Sequence, residues 1–237
     1  MSEFPFLTAQ PIAHRGYHDM NKAVWENSLP AFKRAIDAGF AIECDLHLSA
    51  DGIPMVFHDD DLKRLCGLDL VPENETAERL ATIKIGTTDA TIPSFTDLLA
   101  LTDGRVPLVV ELKTAPSHNP LFATAVLDCL AGYKGPVALM SFDAQLLRDL
   151  KSAGAPRPLG LTAMGDTEEA FDAHRKAVSI GLDFVSYYYD HLPNAFISGL
   201  KADGKTIITW TVRDERARDI TFANADQMTF EGFDPRV

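Results

Sequence analysis

Short apolar, β-branched runs alternate with amphipathic stretches along nearly the whole chain from Ile12 onward. That alternation leaves few folds open, because strands separated by helix-length crossovers pair in parallel beneath a layer of helices. Eight runs read as strands: Pro11 to His14, Ala41 to Leu48, Pro107 to Lys113, Val137 to Phe142, Pro158 to Ala163, Phe184 to Tyr189, Thr206 to Val212 and Gln227 to Gly232. Seven stretches between them suit helices. In one, Ser28 to Ala38, Ser28 can cap the N-terminus, Pro30 falls in the first turn and Gly39 stops the helix. The count predicts an α/β fold, a (β/α)8 barrel, as one domain over residues 1–237. Only five residues follow Gly232, so closure is expected without an eighth helix.

One connection departs from the repeat. Leu46 to Ser49 runs through Ala50-Asp51-Gly52 straight into Ile53 to His58, too short for a helical crossover. An Asp-Gly turn between alternating runs predicts an antiparallel hairpin on the second strand, which returns His58 to the barrel mouth. The polar segment 58–92, with little helical periodicity beyond Ala77 to Ile83, reads as a small insertion over that mouth.

Polar chemistry gathers at the strand ends. Glu43 and Asp45 lie two apart on one strand and share a face, with Cys44 on the other, and Glu111 repeats the arrangement on the neighbouring strand. Three converging carboxylates without a thiolate suit a hard divalent cation, Mg²⁺ or Ca²⁺; solvated or Arg-paired carboxylates are the competing reading. His14 and His58 both follow apolar runs and precede a charged residue, a placement that suits an acid and base pair beside a metal. Arg15 and Lys113 supply positive charge that could neutralise a phosphodiester, unless each is spent on a salt bridge to Glu43 or Glu111. His47 shares the face of Glu43 and Asp45 but lies one step nearer the hairpin, and these cations prefer oxygen. Trp210 and Phe142, near later strand ends, are candidates for a pocket wall or for the core. His18, His118, His174 and His191 read as ordinary solvated residues, and Glu231, closing the last strand, receives no role.

With 34 acidic against 22 basic residues, a net charge of -12 and no basic run, the chain is a poor match for nucleic acid or stable association with anionic membranes. MSEFPFLTAQP lacks the basic and apolar regions of a signal peptide, and no 18-residue apolar run occurs. Cys44, Cys66 and Cys129 are odd in number and widely spaced, which fits a reduced, cytoplasmic setting with the three as buried small hydrophobes. Oligomeric state is left open by these features.

Taken in order, HRG at His14–Gly16, Glu26-Asn27 before a Pro-Ala-Phe helix, E-x-D at Glu43 and Asp45, Asp51-Gly52 followed by His58-Asp59, and E-L-K at Glu111–Lys113 resemble the glycerophosphodiester phosphodiesterases. SFD at Ser141–Asp143 and TWTV at Thr209–Val212 extend the likeness more weakly. The resemblance implies a TIM-type barrel, a divalent metal on Glu43, Asp45 and Glu111, and His14 with His58 as acid and base. It also implies hydrolysis of a small glycerophosphodiester to glycerol 3-phosphate and an alcohol, with the metal and Arg15 holding the phosphate; Lys113 and Trp210 are placed toward the substrate by their charge and strand-end position. Which histidine is acid, and whether water or the glycerol hydroxyl attacks, stays open. Two departures, the compact insertion and a last strand reading TFEGFDP, both fall where the alcohol would rest. The rival readings are a phospholipase-D-like enzyme or a sugar phosphodiesterase on the same barrel. A non-catalytic barrel that captures a phosphorylated ligand is a further rival; it is disfavoured because all five core residues are present.

Overall fold

A computed structural model describes residues 3–114 and 118–237, so the first two residues of the N-terminal reading lie outside it. Among the described residues the parallel strands are β1 (Ile12–Ala13), β2 (Ala41–Leu48), β4 (Leu108–Leu112), β5 (Val137–Ser141), β6 (Leu159–Ala163), β7 (Phe184–Tyr188), β8 (Thr206–Val212) and β9 (Gln227–Phe230). They follow the order β1-β9-β8-β7-β6-β5-β4-β2, and pairing of β1 with β2 closes the barrel. The remaining strand, β3 (Pro54–Val56), lies antiparallel on β2 with His47 opposite Met55, the hairpin that the Asp-Gly turn predicts.

Seven helices make the crossovers: α1 (Leu29–Ala38), α4 (Phe95–Thr102), α5 (Leu121–Leu130), α6 (Ala144–Ser152), α7 (Glu168–Val178), α8 (Ala195–Ala202) and α9 (Glu215–Asn224). The Ser28 hydroxyl caps α1 by accepting the Ala31 N–H at 3.3 Å, and Gly39 ends it at φ 73°. Two short helices belong to the insertion: α3 (Ala77–Leu80), inside the periodic stretch Ala77 to Ile83, and α2 (Lys63–Cys66), which the periodicity does not show. The insertion's apolar residues Leu62, Leu65, Leu80, Ile83 and Ile85 form a separate small core with Met55 and Phe57, and Trp25 packs on it. With four residues, α2 carries too few turns for a periodic pattern to show.

Alternation along the strands divides the side chains. Cys44, Leu46, Val110 and Leu112 point outward into the layer shared with the helices. Ile12, Ala41, Val109, Ala138, Phe184 and Ile208 point inward and, with Leu7 from the N-terminal turn, plug the lower barrel. Phe184 occupies its centre because Gly160 leaves room: a Cβ there would sit 2.3 Å from the ring. Where an eighth helix would lie, Phe233 packs edge-on against Phe230 and Arg236 covers the Phe40 ring at 4.2 Å while donating to the Ala38 carbonyl. No helix among the described residues is long and apolar enough to cross a membrane.

Candidate active site

Parallel pairing of β2 with β4 sets Asp45 beside Glu111, and the two-residue period puts Glu43 below Asp45 on the same face. One carboxylate oxygen from each of Glu43, Asp45 and Glu111 lies within 4.8 Å of the other two, and all three residues are buried. Lys113 Nζ lies 2.9 Å from Asp45 Oδ1 and also contacts Glu111. Burial, with the charges of Asp45 and Glu111, pushes the Glu43 carboxyl well above its ordinary range, and burial also raises Glu111. Asp45 moves the other way: despite burial, Lys113, His58 and Arg15 hold it ionised. Three carboxylates face two cations, and one of these, Arg15, is shared with Glu26. An all-oxygen donor set with surplus negative charge fits a hard divalent cation.

The β1–α1 connection serves this cluster. Arg15 and Asn27 take left-handed backbone, φ 53° and 52°, which few non-glycine residues adopt without a surrounding structure that enforces it. Between Arg15 and the helix, Gly16 turns at φ 81°, where a Cβ would come within 2.9 Å of Ala31. The result aims the Arg15 N–H at Glu43 Oε2 (2.9 Å) and Asn27 Nδ2 at Asp45 Oδ2 (2.8 Å). Glu26 accepts from Arg15 and Asn21 at 2.5 Å and from both terminal nitrogens of Arg64, at 2.7 and 2.9 Å. Against burial, Arg64 above all, with Arg15 and Asn21, brings its carboxyl down to about 2.

A folded-state value below the unfolded one means that Glu26 stabilises the fold above the ordinary carboxyl range, and that this contribution fades as pH falls toward 2. Glu26→Gln is therefore expected to lower stability at pH 7 by on the order of 3 kcal/mol. Denaturant titrations of the two proteins should converge on acidification; a gap that persists at pH 2 would contradict the charge argument.

Two histidine–carboxylate pairs flank the cluster. Buried His14 donates from Nδ1 to Glu231 at 2.5 Å, and its Nε2 stands 3.9 Å from Glu43. Burial takes the ring down to about 4 despite the bond to Glu231, so near neutral pH Nε2 carries a lone pair. Burial opposes ionisation of Glu231, but His14 and His18 keep it charged. The second pair, His58 Nδ1 with Asp59 Oδ1 at 2.7 Å, is more open to solvent, with 31% of the His58 side chain exposed. Arg64 from α2 clamps Asp59 at 2.7 and 2.8 Å and thereby ties this pair to Glu26.

His14, His58 and the three carboxylates line one cavity at the barrel mouth, together with Arg15, Lys113 and Trp210. Phe142 and Tyr188 pack on Trp210, with ring centres 5.6 and 5.3 Å away, so the two candidate aromatics form a wall. Lys113 does make the salt bridge weighed against its substrate role, yet it also lines the cavity. His47 stays outside the carboxylate cluster: its ring contacts Glu73 and, at 3.2 Å, the His58 carbonyl.

The solvated reading of the other histidines needs correction. His18 is buried, with Nε2 3.5 Å from Glu231. His191 accepts the Gly165 N–H at 2.7 Å, His174 packs on Tyr187, and exposed His118 pairs with Asp149 at 3.0 Å. Each partner is brought in by the fold from a distant part of the chain. For the same reason the sequence reading missed Glu231, Asn27 and Arg64 as supports, although Glu26-Asn27 stands out as a motif; Asp59, adjacent to His58, reads there only as a charged neighbour.

The glycerophosphoryl diester phosphodiesterase family model matches residues 14–232. A glycerophosphodiester phosphodiesterase of Caldanaerobacter subterraneus is 28% identical over 211 residues, covering 85% of this chain and 84% of the relative. Among solved structures, an Oleispira antarctica phosphodiesterase in complex with the product sn-glycerol-3-phosphate superposes with a TM-score of 0.83 at 22% identity, over 94% of this chain and 92% of the other. A Thermotoga maritima glycerophosphodiester phosphodiesterase gives 0.73 at 25% identity, over 92% of each chain.

Proposed function

Because the chain belongs to the glycerophosphoryl diester phosphodiesterase family and acts as a glycerophosphodiester phosphodiesterase, we propose that two histidine–carboxylate pairs carry the reaction beside a divalent cation held by Glu43, Asp45 and Glu111. The observation that carries this reading is the convergence of His14, His58 and all three carboxylates on one cavity, each histidine backed by a carboxylate behind it. A bound cation supplies positive charge against the phosphoryl oxygens. Arg15 and Lys113 add to it at the cavity wall, where they hold and orient the phosphate.

His14, neutral and with its Nδ1–H fixed by Glu231, is the general base: Nε2 takes the proton from the attacking hydroxyl, whether of water or of the substrate's own glycerol. His58 is the general acid. The bond to Asp59 fixes its ring, and its position toward solvent suits proton delivery to the departing alcohol. An adjoining cavity shares Lys113 and is bordered by Glu73 and Asn74 of the insertion, which leaves room for that alcohol. The three cysteines, all free, agree with a cytoplasmic enzyme of head-group turnover.

Release of sn-glycerol 3-phosphate from glycerophosphocholine, glycerophosphoethanolamine and glycerophosphoglycerol tests this. EDTA is expected to abolish release, and Mg²⁺ or Ca²⁺ to restore it. Turnover that survives EDTA would remove the cation from the reaction, and no release from any of the three would remove the substrate class.

A further inference from the structure

The two histidines are mounted differently. His14 directly follows β1, and its backbone N–H donates to the Phe230 carbonyl of β9 at 2.9 Å, so barrel closure itself fixes it. His58 stands two residues beyond β3, the hairpin strand outside the parallel ring, and the Phe57 N–H donates to the Asp45 carbonyl one residue short of it. What grips His58 comes from the insertion, by two routes. In the first, Arg64 of α2 donates from Nε and Nη2 to Asp59 at 2.7 and 2.8 Å, and Asp59 bonds His58 Nδ1 at 2.7 Å. In the second, Glu73, in the single turn Pro72–Asn74, contacts His47 Nδ1, and His47 Nε2 meets the His58 carbonyl oxygen at 3.2 Å. His47 is buried, so this second route runs through the interior.

The insertion stands on a core of its own. Leu62 and Leu65, on either side of Arg64, are buried in it, and Trp25 seats against Gly86, where a Cβ would come within 2.2 Å of the indole. Thus α2 is held from behind, while the Arg64 side chain, 46% exposed, fills no core position. That side chain is nonetheless saturated: besides Asp59, it donates to both oxygens of Glu26 at 2.7 and 2.9 Å. Two forked carboxylate pairs on one guanidinium fix it in direction as well as distance, which a lone surface ion pair does not do. Resting on the reading of His58 as the acid, we propose that the insertion is the mount of that acid and that Arg64, acting through Asp59, is its positioning residue. The insertion then governs the rate of alcohol departure as well as the room left for the alcohol. A donor displaced by about 1 Å can cost on the order of a hundredfold in rate.

The test is a double-mutant cycle in the metal-loaded enzyme. Arg64→Met, which keeps the stem and removes the fork, is made in wild type and in His58→Ala, and kcat is measured on glycerophosphocholine and on the p-nitrophenyl glycerophosphodiester. In wild type, Arg64→Met is expected to lower kcat on glycerophosphocholine by about 10- to 100-fold, and far less on the p-nitrophenyl diester, whose departure needs little protonation. In His58→Ala it should cost little more on either substrate, because the group it positions is gone. Arg64→Lys should recover part of the loss, since an ammonium reaches Asp59 but cannot fork onto both carboxylates. Glu73→Gln, on the second route, should show the same substrate pattern more weakly. These two variants also read the pattern if Arg64→Met does not fold.

With His58→Ala showing its expected substrate dependence, Arg64→Met losses that are equal on both substrates, or undiminished in His58→Ala, would make Arg64 a structural brace or a support of Arg15 through Glu26. An Arg64→Met enzyme with wild-type kcat would leave nothing to position; each of these results overturns the mount. If His58→Ala itself lost equally on both substrates, the acid assignment would fall. The cycle alone would then decide the mount, because coupling to His58 requires only that Arg64 act through it.

Discussion

Replacing His58 with Ala should slow hydrolysis of glycerophosphocholine by about 10²- to 10⁴-fold while leaving the fold intact, the size expected when a positioned proton donor is lost. His58 sits at the mouth on the return of the hairpin, bonded to Asp59, and its side chain fills no core position. Circular dichroism and the thermal midpoint should therefore barely move. His14→Ala should cost a comparable factor, and the two losses can be told apart by the leaving group. On a glycerophosphodiester with p-nitrophenol as the alcohol, departure needs little protonation. The His58→Ala penalty should then shrink by an order of magnitude or more, while that of His14→Ala persists because the nucleophile must still be deprotonated. A His58→Ala penalty equal on both substrates would reverse or remove the acid assignment. The same reasoning predicts that Glu231→Gln, which keeps the side chain's shape but weakens its hold on the Nδ1–H of His14, depresses kcat more than KM.

The second large effect carries opposite signs for function and stability. Glu43 is buried beside Asp45 and Glu111, and burial together with those charges already disfavours its ionised form. Glu43→Gln keeps an oxygen for the Arg15 N–H and removes one of the mutually repelling charges. In metal-free protein it should raise stability by about 1–2 kcal/mol at pH 7. Cation affinity should fall at least about a hundredfold, since even loss of a hydrogen bond to a ligand can cost that much, and turnover should fall with it. Isothermal titration with Mg²⁺ and Ca²⁺, with denaturant unfolding in EDTA, reads both quantities. Unchanged affinity would take Glu43 out of the ligand set, and a destabilised metal-free protein would mean that the cluster is not under repulsion. Glu111→Gln should follow the same pattern more weakly in stability, because Lys113 already offsets part of its charge.

The strands and the faces of the site are written in local periodicity. Glu43, Asp45 and Glu111 are assigned inward, and Cys44 outward, by the two-residue repeat alone, because alternation depends on nothing beyond backbone geometry. Ser28, Pro30 and Gly39 mark α1 for an equally local reason: capping and the left-handed stop involve neighbours in the chain. The Asp-Gly turn likewise announces the hairpin that carries His58 back to the mouth. Against this, α2 is too short for its helical pattern to show, yet it supplies Arg64, which ties Asp59 to Glu26.

Sequence by itself determined the barrel, the inward carboxylates and the pair of histidines, since each follows from short-range spacing repeated along the chain. Tertiary structure alone decided what holds them in working order. Glu231 meets His14 across 217 positions of the chain, and Asn27 reaches Asp45 only because Arg15 and Asn27 are forced into left-handed backbone. Hydrogen-bond partners, burial and charge balance are properties of closed space, and closing the barrel is what brings β1 beside β9 and sets β7 across from β2.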